Sequence, residues 1–207
     1  MLLEADTCQL VLVDYQTRLL PAIADGAAVL ANAVRLARMA QALQVPICVT
    51  EQNPTRLGPS ADALAAVTSQ ARARVLAKMA FSAWADGLDA LLRPPAPRKA
   101  QGSGARSLPR HLQDNATPSA PARNAVVIAG IEAHVCLLQT ALDLLENDFD
   151  VWVVSDACGS RTERNRDAAY DRLAANGAEL VSTEMVAFEW LRSAAHPLFR
   201  EIQGLIK

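Results

Sequence analysis

The sequence predicts an α/β fold: a doubly wound, Rossmann-like sheet of six parallel strands in the order 3-2-1-4-5-6, with helices on both faces. Three observations predict it. Short apolar runs such as QLVLV, AVVIA and VWVV read as strands buried on both faces. Segments with apolar residues at helical spacing lie between them. Strand and helix alternate along the chain, and right-handed crossovers turn such alternation into one parallel sheet.

The elements follow in order. Gln9–Val13 is the first strand and ends in Asp14-Tyr15-Gln16. Val29–Leu43 carries an apolar helical stripe and packs on the sheet. Pro46 opens the second strand, Ile47–Thr50, which runs into the turn-rich loop EQNPTRLGPS. Ser60 is the expected N-cap of a short helix over Asp62–Val67. Arg74–Ala77 is a short third strand leading to Lys78-Met79-Ala80-Phe81-Ser82, followed by a short helix from Trp84 to Leu92. Ala125–Ala129 is the fourth strand, with a helix over Ala133–Asn147. Val151–Val154, the loop SDACGSR and a helix over Glu163–Asn176 come next, with Gly177 as its stop. Glu179–Ser182 is the sixth strand, Thr183 the expected N-cap of a helix to Ala194, and a last short helix follows Pro197.

Between Arg93 and Arg123 the composition changes to Pro, Ala, Gly and Ser, with charge mostly from Arg and Lys. Such a segment cannot bury enough apolar area to offset the entropy of ordering it. Strand–helix alternation resumes beyond it and neither half is complete alone. Residues 1–207 therefore read as one domain with a surface insertion at 93–123.

Composition narrows function. The 207 residues are 51% hydrophobic and 20% charged with a formal net charge of −2, which gives no general attraction to nucleic acid or anionic membrane. No apolar stretch approaches the ~18 residues of a membrane span, and the N-terminal stretch carries Glu4 and Asp6 in place of a basic leader. Four cysteines without CxxC spacing argue against a thiolate zinc site and suit reduced thiols in the cytoplasm.

Ligands of an open α/β sheet bind beyond the carboxyl ends of its strands, where strand order reverses. Asp14 ends strand one, Lys78 follows strand three and Cys136 follows strand four, so topology sends all three to one crevice. Cys136 sits on a strand-to-helix turn, where backbone N–H groups and the helix macrodipole favour the thiolate. It reads either as a nucleophile or as a small hydrophobe on the inner helix face. As nucleophile it would pass its proton to Asp14, with Lys78 holding the charges in place and backbone N–H groups meeting an oxyanion. Alone, Asp14 could cap a helix and Lys78 could be a solvated cation. The chain has only three lysines among its 20 basic residues, which draws attention to one beside an apolar strand end. Gln16, Thr50 and Gln52 lie near the same crevice, and Gln16 serves either a substrate or the loop around it. Phe81 is either pocket wall or core. His134 stands two residues before the thiol, and such residues diverge on a helix, which disfavours a Cys–His dyad. Cys8, Cys48 and Cys158 read as buried structural thiols.

The motifs D-Y-Q after strand one, K-M-A-F-S after strand three and G-I-E-A-H-V-C after strand four resemble the isochorismatase-like cysteine hydrolase superfamily. TEQNPTRLGP, SDACGSR and the tail EMVAFEWL…HPLFREIQGLIK extend the likeness to nearly the whole chain outside 93–123, toward the isochorismatase domain-containing subgroup. The resemblance implies a Cys136–Asp14–Lys78 triad and hydrolysis of a small amide or carbamoyl compound. It also implies a non-proline cis peptide at Ile131–Glu132, an oxyanion hole from the N–H groups of Glu132 and Cys136, Ile131 beside the substrate, and a homo-oligomer. Nicotinamidases of that superfamily carry an Asp and two His after strand two. EQNPTRLGPS has no histidine, so no metal and no cofactor is expected. Isochorismatases proper lack the cysteine, which argues against isochorismate as substrate. Ala133 stands where relatives often carry Thr or Ser. Two other functions compete: a non-catalytic oligomeric binding protein, and nucleic-acid processing, whose basis here is the basic insertion without aromatic interleaving.

Overall fold

Six parallel strands pair in the order β3-β2-β1-β4-β5-β6 in a computed structural model that describes residues 2–93 and 123–207. They are β1 (Cys8–Val13), β2 (Ile47–Gln52), β3 (Arg74–Lys78), β4 (Ala125–Gly130), β5 (Asp150–Val154) and β6 (Glu179–Val181). All six residues of β1 are buried, as are five of the six of β4, which explains why these central strands read as continuous apolar runs. Register sets the site: Val13 pairs with both Thr50 and Gly130, and Gln52 pairs with Lys78. The strand ends carrying Asp14, Thr50, Lys78 and Ile131 therefore lie side by side.

The helices are α1 (Gly26–Ala42), α2 (Pro54–Leu57), α3 (Asp62–Gln70), α4 (Leu88–Leu92), α5 (Leu138–Glu146), α6 (Glu163–Ala175), α7 (Thr183–Leu191) and α8 (Phe199–Ile206). α1 touches α3, α7 and α8, whereas α5 touches α6. The chain steps one way from β1 to β2 and the other way from β4 to β5. Right-handed crossovers therefore put α1 and α5 on opposite faces.

Several element ends differ from the sequence expectation. Ser60 does not cap α3: its hydroxyl and N–H both donate to Glu51 Oε1 at 2.8 Å, and Ala61 holds the N-cap position. Ser182, not Thr183, caps α7 by accepting from Met185 N–H, while the Thr183 hydroxyl donates to Asp156. That helix stops at Leu191 because Arg192 takes a φ of 60°. Gly87, at φ 100°, divides the helix expected over Trp84–Leu92 into a 3₁₀ turn and α4. The insertion expected at 93–123 lies, except for its two end residues, outside the described residues.

Gly130 is fixed by packing. A Cβ there would stand 2.4 Å from Val13 Cβ and 2.6 Å from Val13 O, so only glycine lets β4 lie against β1 beside the site.

Candidate active site

Asp14 is fully buried directly after β1, with a left-handed φ of 57°. Aspartate tolerates that region better than most residues. Its N–H donates to Thr50 O at 3.1 Å and its carbonyl accepts from Gln16 N–H at 2.7 Å. Thr50 Oγ1 donates to Asp14 Oδ1 at 2.6 Å. Lys78 Nζ lies 2.8 Å from Asp14 Oδ2, and neither side chain is exposed. That approach is an ion pair outside hydrogen-bond geometry, so Oδ2 receives no directed donor among the described residues. A buried pair of this kind is costly to break, because either charge left alone in the interior is uncompensated.

Three further acceptors surround the Lys78 ammonium: Gln52 Oε1 at 2.6 Å, Phe81 O at 3.0 Å and Ala80 O at 3.3 Å. Gln52 Oε1 also lies 3.9 Å from Cys136 Sγ, within reach of an S–H donor. Asp14, Thr50, Gln52, Lys78 and Cys136 thus form one connected buried cluster drawn from four strand ends.

Cys136 sits in the first turn of the helical stretch expected from Ala133. It lies in a π-helical turn, Ala133–Leu137, and α5 begins only at Leu138. The thiolate expected from that position is opposed by burial. Burial is the largest influence and pushes the Cys136 thiol from 9.0 up to about 12; the Asp14 charge adds to that rise, and the Lys78 ammonium opposes it. Burial therefore favours the protonated form of Cys136.

The other residues are placed as follows. Gln16 has its carboxamide committed to the loop after β2: Oε1 accepts from Gln52 N–H at 2.8 Å, and Nε2 donates to Gln52 O at 3.0 Å and Gly58 O at 2.6 Å. Phe81 offers its carbonyl to Lys78, while the residue as a whole is 54% exposed. Ile131 is fully buried, and its N–H donates to Val13 O at 3.0 Å. The Ile131–Glu132 peptide is cis. Glu132 Oε2 accepts from Arg161 Nε at 2.8 Å, and Glu132 N–H donates none of the turn and loop hydrogen bonds around the site. His134 faces away from the thiol to Ser160 Oγ at 3.0 Å. No group of three or more His, Cys, Asp or Glu residues suited to a metal ion occurs among the described residues.

Residues 8–100 and 117–185 match the model of the isochorismatase domain. The chain belongs to the isochorismatase family. It is 36% identical over 198 residues to isochorismatase domain-containing protein 2 of Pongo abelii, covering 96% of this chain and 82% of that protein. It is 35% identical over 189 residues to a secreted isochorismatase effector, Isc1, of Phytophthora sojae, covering 91% and 76% respectively. Among solved structures it is similar to a MAR1 ribonuclease of Caenorhabditis elegans, with a TM-score of 0.80 and 27% identity over 100% of this chain and 92% of that one. The isochorismatase-family fold supports a hydrolase, and no helix among the described residues is long and apolar enough to cross a membrane.

Sequence reasoning missed the backbone of Ala80 and Phe81 as ligands of Lys78, and the carboxylates of Asp86 and Asp143 that hold their loop. A carbonyl exists at every residue and leaves no signal in a sequence. Arg161, which closes the SDACGSR motif and for which the sequence left an ion-pair and an interface role open, makes the ion pair, with Glu132.

Proposed function

We propose that this isochorismatase-family protein is a cysteine-dependent hydrolase that cleaves a C–N bond of a small amide or carbamoyl compound. The observation that carries this reading is the buried cluster in which the Cys136 thiol, its proton held by burial, stands beside the close Asp14–Lys78 pair. A thiol with a raised pKa needs a base at the moment of attack, and the Asp14 oxygen without a directed donor is suited to accept its proton.

The cycle balances without a metal or cofactor. Cys136 gives its proton to Asp14 and its sulfur bonds to the substrate carbonyl carbon. The carbonyl oxygen takes the electron pair and is met by the N–H groups of Glu132 and Cys136. The pair returns, the C–N bond breaks, and Asp14 protonates the departing nitrogen. Water then gives a proton to Asp14 and attacks the thioester; the C–S bond breaks and the proton returns to sulfur. Lys78 steadies whichever of Asp14 and Cys136 bears the charge. Thr50 orients Asp14. Gln52, Phe81 and Ile131 bound the substrate space, and Gln16 shapes its floor through the loop after β2.

The protein is further proposed to act as a single domain with the insertion at 93–123 and to assemble as a homo-oligomer. Val75, Met79 and Phe81, each more than half exposed on or just after the edge strand β3, support assembly. Four free thiols suit the cytoplasm. The name of the nematode relative favours one second reading, hydrolysis of RNA. A screen of small amides, ureas, carbamoyl compounds and single-stranded RNA tests both. Release of ammonia or amine by the native protein, lost at least about 10³-fold in Cys136→Ala with the fold intact, is the expected result. Turnover unchanged in that variant, or confined to RNA, would overturn the proposal.

A further inference from the structure

We propose that Asp86, an exposed carboxylate in the 3₁₀ turn before α4, is a positioning residue for Gln52 and Lys78. Its Oδ2 accepts from two consecutive N–H groups, Met79 at 2.7 Å and Ala80 at 2.9 Å. In a trans peptide the C=O points opposite to the N–H. Fixing these two N–H groups toward Asp86 therefore turns the carbonyls of Lys78 and Met79 inward. There, Lys78 O accepts from Asn53 N–H at 2.8 Å and Met79 O accepts from Gln52 Nε2 at 2.8 Å.

That second bond decides which way the Gln52 carboxamide faces. With Nε2 spent on Met79 O, Oε1 is left toward Lys78 Nζ at 2.6 Å and Cys136 Sγ at 3.9 Å. The following carbonyls, Ala80 O and Phe81 O, close on the same ammonium. Beyond them the loop is held by α5. Ser82 Oγ donates to Asp143, and Ala83 N–H donates to Thr140 Oγ1 at 3.0 Å. The segment is pinned at its far end by the helix behind Cys136 and at its near end by Asp86. Asp86 acts on the cluster only through the backbone it orients, so it can be removed without touching the buried charges.

The inference rests on the role given to Lys78 above, but its test does not need turnover. The chain has three lysines, so the Lys78 ¹⁵Nζ ammonium signal is separable by NMR, and its hydrogen exchange reports how firmly it is held. In Asp86→Ala this exchange is expected to quicken about tenfold, the scale of one charge-assisted hydrogen bond. The Gln52 side-chain amide signals should move and alkylation of Cys136 should slow, while the backbone spectrum beyond residues 79–88 stays native. Asp86→Asn, which keeps an acceptor oxygen, is expected to fall between Asp86→Ala and the native protein. Lys78 exchange within twofold of native in Asp86→Ala would overturn the inference; if that variant does not fold, the same criterion applied to Asp86→Asn decides. Failure of every substrate would sink the hydrolase reading and leave this measurement standing.

Discussion

A thiol raised to about 12 is a poor nucleophile at neutral pH unless its proton has somewhere to go. Asp14 supplies that place. The consequence is visible without a substrate. Alkylation of an ordinary thiol by iodoacetamide steps up around its own pKa and then levels off. For Cys136, labelling followed by peptide mass between pH 7 and 10 is expected to lack any step centred near 9. The rate either holds level, carried by transfer to Asp14, or climbs about tenfold per pH unit without a plateau. A step centred near 9 that has levelled off by pH 9.5 would mean that the thiol is not buried beside a carboxylate. Topology alone pointed Asp14, Lys78 and Cys136 to one crevice in the sequence, because the carboxyl ends of β3, β2, β1 and β4 all open on the same edge of the parallel sheet. The protonation state was not legible. Helix position argued for a thiolate, whereas burial and a neighbouring negative charge, both products of tertiary packing, decide for the thiol.

At the scale of elements, the strands were legible because central parallel strands are apolar on both sides, and Cys8–Val13 and Ala125–Gly130 carry little else. Helix starts were less so. Ser60 and Thr183 have the hydroxyl a cap requires, but Glu51 and Asp156 are stronger acceptors brought in from distant strand ends, and each hydroxyl goes to the carboxylate. β4 lies so close to β1 at Gly130 that an added Cβ would stand 2.6 Å from Val13 O, and this contact leads directly into Ile131 and Glu132. Gly130→Ala is expected to lower stability by about 3 kcal/mol in urea unfolding, the upper range for overpacking, because the clash is with strand backbone that cannot step aside. Gly204→Ala is the matched control. It lies in α8 with open space around the added methyl and should be neutral or raise stability by up to about 1 kcal/mol. Equal effects of the two substitutions would show that β1 and β4 are not held as close as Val13 and Gly130 require.

Across the whole molecule, burial makes several thiols and phenols harder to ionise. Burial raises Cys8 and Cys48, holds Cys136 and Cys158 at about 12, and pushes Tyr15 and Tyr170 above the ordinary tyrosine value. Each is harder to ionise in the folded chain, whereas the unfolded chain releases these protons at ordinary values, near 9 for thiols. Above pH 9 the native state therefore binds more protons than the unfolded state, and stability falls as pH rises. It is fully present below the unfolded thiol value and is lost as pH climbs toward about 12, where Cys136 and Cys158 titrate in the folded protein. Each thiol that stays protonated costs about 1.4 kcal/mol for every pH unit above 9. The urea midpoint is accordingly expected to be level from pH 7 to 8.5 and to drop steeply between 9 and 10.5. Cys158→Ala removes one titrating group that takes no part in the cluster. Whatever cavity it leaves at pH 7.5, its midpoint should decline less steeply with pH than the native protein's. A native midpoint independent of pH up to 10.5 would mean that these thiols ionise in the folded state as easily as in the unfolded one, and the buried, protonated Cys136 on which the proposed chemistry depends would fall with it.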